Sequence, residues 1–403
     1  MELFWLEHKK LWRKKIVKIC VLLCFVYCVI FGSILSFQWF SFGSSDDYTS
    51  AFGNNFDGYT VIKDSQEYAL SFGGELTDET LQQIVSDYQQ MEADGMEKEL
   101  EKTDWQIVNS WLGTLYPELR DTSNYKTMIS YVDPDKLTGF YERRQQVLDE
   151  FLEISGQVGA EKEFLHQMER KVEKPFHYEW VEGWSTLLGS MVADLGVVMA
   201  LFLGIVLSSL FAGEWHDNTS TLVLTTRNGW GKIALAKILT GFAFTAELFA
   251  LLAVSSIISQ LFFMGTAGWD MPIQNIKLIA VAPMNMLQAE IYEYAFVLLG
   301  AIGFAGIVMF ISAAVKNNVL TLLLSLAVVY GPMMIAEYLP YEMQKALDLI
   351  PLAGSSTDIF RTNTFRIFGK LIWSPYLLIT IPVLIGILCM PFAIKSWSRR
   401  MKA

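Results

Sequence analysis

Histidine is nearly absent from this 403-residue sequence. His8, His166, His177 and His216 are the whole set, and none stands at the spacing of a metal-binding helix such as H-E-x-x-H. Cysteine is equally scarce. Cys20, Cys24, Cys28 and Cys389 all fall in apolar runs, so the polar stretch from 38 to 186 must fold by burying side chains rather than by disulfides. Charged residues make up only 18 % of the chain against 52 % hydrophobic, which excludes a soluble protein with an ordinary surface. A phosphate-cradling loop is missing too. Gly231-Lys232 is followed by Ile233 where a P-loop needs Ser or Thr, and Thr226 replaces its first glycine. The expectation is therefore no enzyme constellation, no metal site and no cofactor in this chain, with any ATP hydrolysis supplied by another polypeptide.

What charge there is segregates. Residues 38–186 carry 29 Asp and Glu against 12 Lys and Arg, a net −17, while the remainder is +6. So acidic a stretch excludes nucleic acid as its partner, since a phosphate backbone needs cationic neutralisation. It suits electrostatic capture of cationic peptides, and equally the plainer task of keeping a domain soluble.

Outside that stretch the chain consists of long apolar runs. A bilayer core about 30 Å thick takes about 20 apolar residues per helix. The pattern predicts an α-helical polytopic membrane protein, with six transmembrane helices plus a mainly α, partly β extracytoplasmic domain. Residues 1–17 form a cytoplasmic interfacial elbow helix, 18–38 the first span and 39–186 the extracytoplasmic domain. The second span is 187–212, followed by a cytoplasmic loop at 213–237 and the third span at 238–264. An external loop at 265–292 leads to spans four and five at 293–315 and 319–338. A second external loop, 339–371, precedes span six at 372–394 and a cytoplasmic tail at 395–403. Lys18, Asp194, Glu247, Glu293 and Glu337 are the charges inside these runs.

Orientation follows from Lys and Arg near the span ends. The start (His8-Lys-Lys-Leu-Trp-Arg-Lys-Lys-Ile-Val-Lys18) and the end (Lys395 to Lys402) are both basic. Both termini are thus expected on the cytoplasmic side of the plasma membrane, which requires an even number of spans. Lys345, Arg361, Arg366 and Lys370 strain this plan, because they fall in an external loop; a loop that dips back into the membrane is one way out. A cleaved signal peptide is the competing reading of residues 1–38. The apolar run is too long for one, and it leaves through Phe37-Gln-Trp-Phe40 without a small-x-small site.

Phe4, Trp5, His8, Leu11 and Trp12 share one helical face, with Glu2, Lys9, Lys10 and Arg13 opposite. This is the pattern of a helix lying on membrane lipid, or more plainly a basic flank that sets topology. In the acidic stretch, 59–61 and 68–72 lean towards strand. Leu81, Ile84, Val85, Tyr88 and Met91 make a helical stripe beginning after Thr77. A helix over 138–154 would bury Tyr141, Leu148, Phe151 and Leu152, and another would run over 160–173 before Pro175.

Several groups invite a functional reading beside a structural one. Cys20, Cys24 and Cys28 lie one turn apart, suiting a soft metal or acylation, or simple packing. Asp194 and Glu247 are intramembrane carboxylates, costly by default. They would line a path for a cationic or amphiphilic substrate, or be neutralised against a neighbouring helix. Gly300, Gly303 and Gly306, with Ala301 and Ala305, allow another helix to approach closely.

The loop after the second span runs Phe211-Ala-Gly-Glu214-Trp-His-Asp-Asn-Thr-Ser-Thr-Leu-Val-Leu-Thr-Thr-Arg227-Asn-Gly-Trp-Gly-Lys232-Ile-Ala-Leu-Ala-Lys237. Here the sequence resembles the permease subunits of ABC-2-type ABC transporters. They carry an acidic residue after span two, a Thr/Leu-rich stretch ending in a basic residue, and a further Lys as span three begins. Ile311-Ser-Ala-Ala-Val-Lys316-Asn-Asn resembles their tight turn between spans four and five, and the order of parts agrees. The resemblance covers 1–37 and 187–403, and residues 38–186 look like the extracytoplasmic insertion of some subfamilies. It implies that Glu214, Thr219, Thr221, Thr225, Arg227 and Lys232 belong to a coupling helix docking on a cytosolic ABC ATPase, a P-loop NTPase. It also implies a homodimer or a heterodimer with a similar permease, exporting a peptide, drug or lipid-like molecule. The alternative reading of these charges is as headgroup anchors. A membrane-anchored extracytoplasmic sensor or scaffold without transport is the alternative function, against which six spans argue.

Overall fold

The computed structural model describes residues 2–37, 66–67, 69–71, 73–95, 105–188, 192–217, 219, 231–315, 317–353, 360 and 363–399. Two helices open the chain. The amphipathic α1 (Glu2–Arg13) is separated by Lys14 alone from α2 (Lys15–Phe37), which has no charge beyond Lys18. The cysteine stripe of α2 is buried. Its thiols are free and pack in the hydrophobic core.

The acidic stretch builds a small α+β domain. Strand β1 (Gly74–Leu76) is followed by α3 (Asp78–Ala93), α4 (Trp105–Leu115), α5 (Phe140–Ile154), α6 (Ala160–Glu169) and β2 (Phe176–Tyr178). The two strands pair antiparallel with Gly74 opposite Tyr178 and Leu76 opposite Phe176. Leu76, Leu81, Val85, Trp111, Leu112, Phe140, Leu148, Leu152 and Phe176 form the core. Asp78 has an unexpected task. Gly139 opens α5 at φ +72° and has no side chain to cap it. The Asp78 carboxylate instead accepts from the backbone N–H of Gly139 (2.7 Å) and Phe140 (3.0 Å), filling the need of a helix start for a polar acceptor.

Three expectations for this domain change. Residues 69–71 are helical rather than extended, and the strand follows Gly73 instead of preceding it; 59–61 lie outside the described residues. Phe151 is 37 % exposed, because Phe140, Arg144, Leu148 and Leu152 set the buried face of α5 and position 151 falls to its side. The last helix ends at Glu169, short of 173. Pro175 disfavours helical backbone at the residue before it, and Phe176 must already be extended to pair with β1.

Among the described residues, five helices are long and apolar enough to cross a membrane. After a short α7 (Glu182–Thr186) come α8 (Val192–His216), α9 (Lys232–Met264), α10 (Met286–Ala314) and α11 (Asn318–Ile335). A further helix α12 (Tyr341–Leu347) and the hairpin of β3 (Thr364–Ile367) with β4 (Lys370–Trp373) precede the fifth, α13 (Ser374–Arg399). Leu22, Phe25, Val254, Ile258, Phe262, Leu323, Leu384, Leu388 and Phe392 stand exposed around this bundle. A soluble monomer does not carry so broad an apolar surface. The chain is a helical polytopic membrane protein.

Helix limits shift the charged residues. Residues 182–186 form a helical turn, held by Trp184 Nε1 donating to the Ala267 carbonyl at 2.8 Å, and α8 is described from Val192, with 189–191 outside the described residues. Asp194 lies close to the described start of α8. At the other limit α10 starts early. A capping box of Asn285 and Gln288 opens it at Met286, which brings Glu290 and Glu293 inside the helix as buried side chains.

Small residues determine the closest crossing. A Cβ at Gly303 would lie 2.3 Å from the Pro382 carbonyl oxygen, and one at Gly306 would lie 2.6 Å from the Gly386 Cα. α10 and α13 thus meet backbone to backbone, and the packing expected of the glycine stripe is what the crossing uses. A Cβ at Gly300 would be 3.1 Å from Leu352 and one at Gly303 would be 3.0 Å from Pro351. The segment after α12 therefore reaches about half-way along α10.

The connections divide cleanly between two ends of the bundle. At one end the α+β domain grips both the 265–285 and 339–373 connections. Buried Arg144 pairs with Glu169 and donates to the carbonyls of Leu278 (2.6 Å) and Ala280 (3.1 Å). Trp111 Nε1 donates to the Asn275 carbonyl at 3.0 Å, and Arg366 pairs with Glu161 at 2.6 Å. At the opposite end lie α1, the 214–219 and 231–237 segments, and the close of α13, whose buried Trp397 packs on Phe211 and Trp215 with ring centres 5.4 and 6.1 Å apart.

Candidate coupling site at the elbow end

Glu7 and Lys10 stand three residues apart, which places them on one face of α1, and Lys14 follows at the junction with α2. That face meets the end of α8 and the beginning of α9. Lys237 Nζ donates to Glu7 Oε2 at 2.7 Å and to Glu214 Oε1 at 2.8 Å. Lys10 Nζ donates to the same Glu214 oxygen at 2.5 Å, while Thr219 Oγ1 donates to Glu214 Oε2. Lys14 Nζ donates to Ser209 Oγ at 3.0 Å. Glu214 and Lys237 are only 4 % and 2 % exposed, so this is a closed ion cluster rather than a surface pair.

Electrostatics around the elbow are finely opposed. Burial works against the charge of Lys10, but the hydrogen bond and charge of Glu214, with Glu7, outweigh it and hold the ammonium above its ordinary pKa. Lys14 lacks such a partner. Burial, then the charges of Lys237 and Lys10, push its pKa below the ordinary value. At 2.8 Å and an effective dielectric near 20, one Lys237–Glu214 contact is worth about 6 kcal/mol before desolvation. Several kcal/mol per ion are lost to desolvation, leaving the intact cluster near break-even. Removing one member is different: it strands a buried charge.

Two expected site residues take other places. Glu247 faces the elbow helix, accepting from Trp12 Nε1 at 3.0 Å and lying 2.9 Å from His8 Nε2. Glu247 is the sixteenth of the 33 residues of α9, so it stands mid-helix as the sequence suggests, with its side chain on the face that α1 covers. Glu214 turns inward onto Lys10 and Lys237 and is not presented to a docking partner. Lys232, the first residue of α9, is exposed. Thr219 supports Glu214, and Thr221, Thr225 and Arg227 lie outside the described residues.

No family model matches this chain, and no curated protein or solved structure is similar to it.

Sequence reasoning missed Lys10 as a partner of Glu214, Glu7 as a partner of Lys237, and His8 and Trp12 as partners of Glu247. A signal for the first set was available. Lys10 shares a helical face with Glu7, and an acidic residue amid so basic a segment needs a reason.

Proposed function

We propose that this chain is the membrane-spanning permease subunit of an ABC-2-type ABC exporter, driven by a separate cytosolic ATPase. In this reading α2 is a sixth crossing, both termini are cytoplasmic, and the α+β domain lies outside. The supporting observation is the elbow cluster, which ties α1 to the ends of α8 and α9 on either side of the 217–231 loop. A partner pressing on that loop moves three helices together, which suits transmission of a rigid-body closure. Glu214 and Lys237 act as transmitters here, and docking falls to exposed residues such as Lys232.

The basic residues that strain the orientation find local acids. Arg366 pairs with Glu161 of the outer domain, and buried Lys345 with Glu342 at 2.8 Å. Neutralised charge weighs less on the side a loop adopts. The exported molecule is a peptide, drug or lipid-like compound, moved by a homodimer or a pair of similar permeases.

Co-purification from the native membrane tests this. Wild-type protein should bring down a soluble P-loop ATPase, and Lys232→Glu should fold normally yet recover about tenfold less of it or worse. Equal recovery by the variant would remove Lys232 from the contact. Recovery of no ATPase by the wild type would favour the sensor or scaffold reading.

A further inference from the structure

At the end opposite the elbow, the structure assembles a ligand set that is not apparent along the chain. His177 and Glu179 lie two residues apart across the end of β2, so an extended backbone sends both side chains to the same face, away from the buried Phe176 and Tyr178. Asp270, from the connection between α9 and α10, joins them. One ligand atom from each of the three lies within 4.8 Å of the others, and His177 Nε2 is 3.0 Å from Glu179 Oε1.

The surroundings are built to hold these groups. Glu179 Oε2 accepts from the Gly268 N–H at 3.1 Å, which orients the carboxylate, and Asn275 Nδ2 donates to the His177 carbonyl at 2.7 Å. Supporting bonds of this kind direct ligands in metal sites. Gly268, at φ +81°, lets the connection approach closely, for a Cβ there would lie 2.4 Å from the Trp180 carbonyl oxygen. His177 and Asp270 also border a cavity of about 330 Å³. Gln274 borders it as well. It is fully buried, its Nε2 is bonded to the carbonyls of Ala280 and Ala282, and its Oε1 has no partner among the described residues.

We propose that His177, Glu179 and Asp270 bind a divalent transition-metal ion of the zinc class, with its open coordination positions towards the cavity. One imidazole and two carboxylates make a mixed set. Imidazole selects zinc over calcium or magnesium, and carboxylates are accepted by it. Zinc bonds of about 2.1 Å require ligand atoms about 3.4 Å apart in a tetrahedron, which a set already within 4.8 Å reaches by closing up by no more than about 1.4 Å. Three protein ligands leave the fourth position to water or to a ligand's anionic group. The bound ion staples β2 of the outer domain to the connection between α9 and α10.

Zinc competition against a chromogenic chelator, with untagged full-length protein in detergent, tests the site. Wild type should bind one saturable equivalent of Zn2+ per chain. His177→Ala and Asp270→Asn should each weaken it more than about tenfold, Ca2+ should compete poorly, and His216→Ala, at the far end of the bundle, should change nothing. Gly268→Ala, which moves the supporting N–H, should weaken binding while all three ligands remain. Circular dichroism identifies any variant that fails to fold. Absence of a saturable equivalent in the wild type, or unchanged affinity in folded His177→Ala, overturns the proposal.

Discussion

Glu214→Ala is expected to destabilise the detergent-solubilised protein by about 3–5 kcal/mol, the cost of leaving a buried ion without its partner. The reasoning lies in the cluster, where one carboxylate receives Lys10, Lys237 and Thr219 together. Without it, Lys237 keeps only Glu7, and three ammonium groups face one acid. Tryptophan fluorescence during thermal unfolding measures the loss. The double variant Glu214→Gln with Lys237→Met removes both buried charges, and it should lie closer to wild type than either single change predicts by addition. Strict additivity, or a stable Glu214→Ala, would show that the elbow is held by apolar contact alone.

The second large effect is expected at the α10–α13 crossing. Gly306→Leu should abolish the monodisperse protein in size-exclusion chromatography, and even Gly306→Ala should cost about 1–3 kcal/mol or more. A new Cβ there meets Gly386 Cα and its carbonyl oxygen, both at 2.6 Å. These are backbone atoms, so no side chain can turn aside and one helix must move. Gly331→Ala is the control, because nothing lies within 4 Å of a Cβ on that face of α11. It should be close to neutral. Equal tolerance at 306 and 331 would mean that the crossing is looser than described.

These two sites show which parts of the structure were legible in the sequence. Glycines at 300, 303 and 306 recur along one helical face within an uncharged run, and a short-range pattern is enough to announce a close neighbour; which neighbour is a long-range fact. Glu214 was visible as a charge, but its orientation was not, because Lys10 and Lys237 come from segments 204 and 23 residues away. Span limits erred where local turns competed with hydrophobicity. The Asn285 capping box starts α10 seven residues ahead of the apolar run. The His177, Glu179 and Asp270 set was invisible for a different reason. Two of its members show the period of a strand, but the third joins only through the fold.

Sidedness is the most direct test of the whole account. In a cysteine-free background, a single cysteine at Tyr125, fully exposed in the α+β domain, should react with a membrane-impermeant maleimide in intact cells. A single cysteine at Lys232 should react only after permeabilisation. Labelling of both positions from outside would place the elbow end and the acidic domain on one face of the membrane, and would contradict the account.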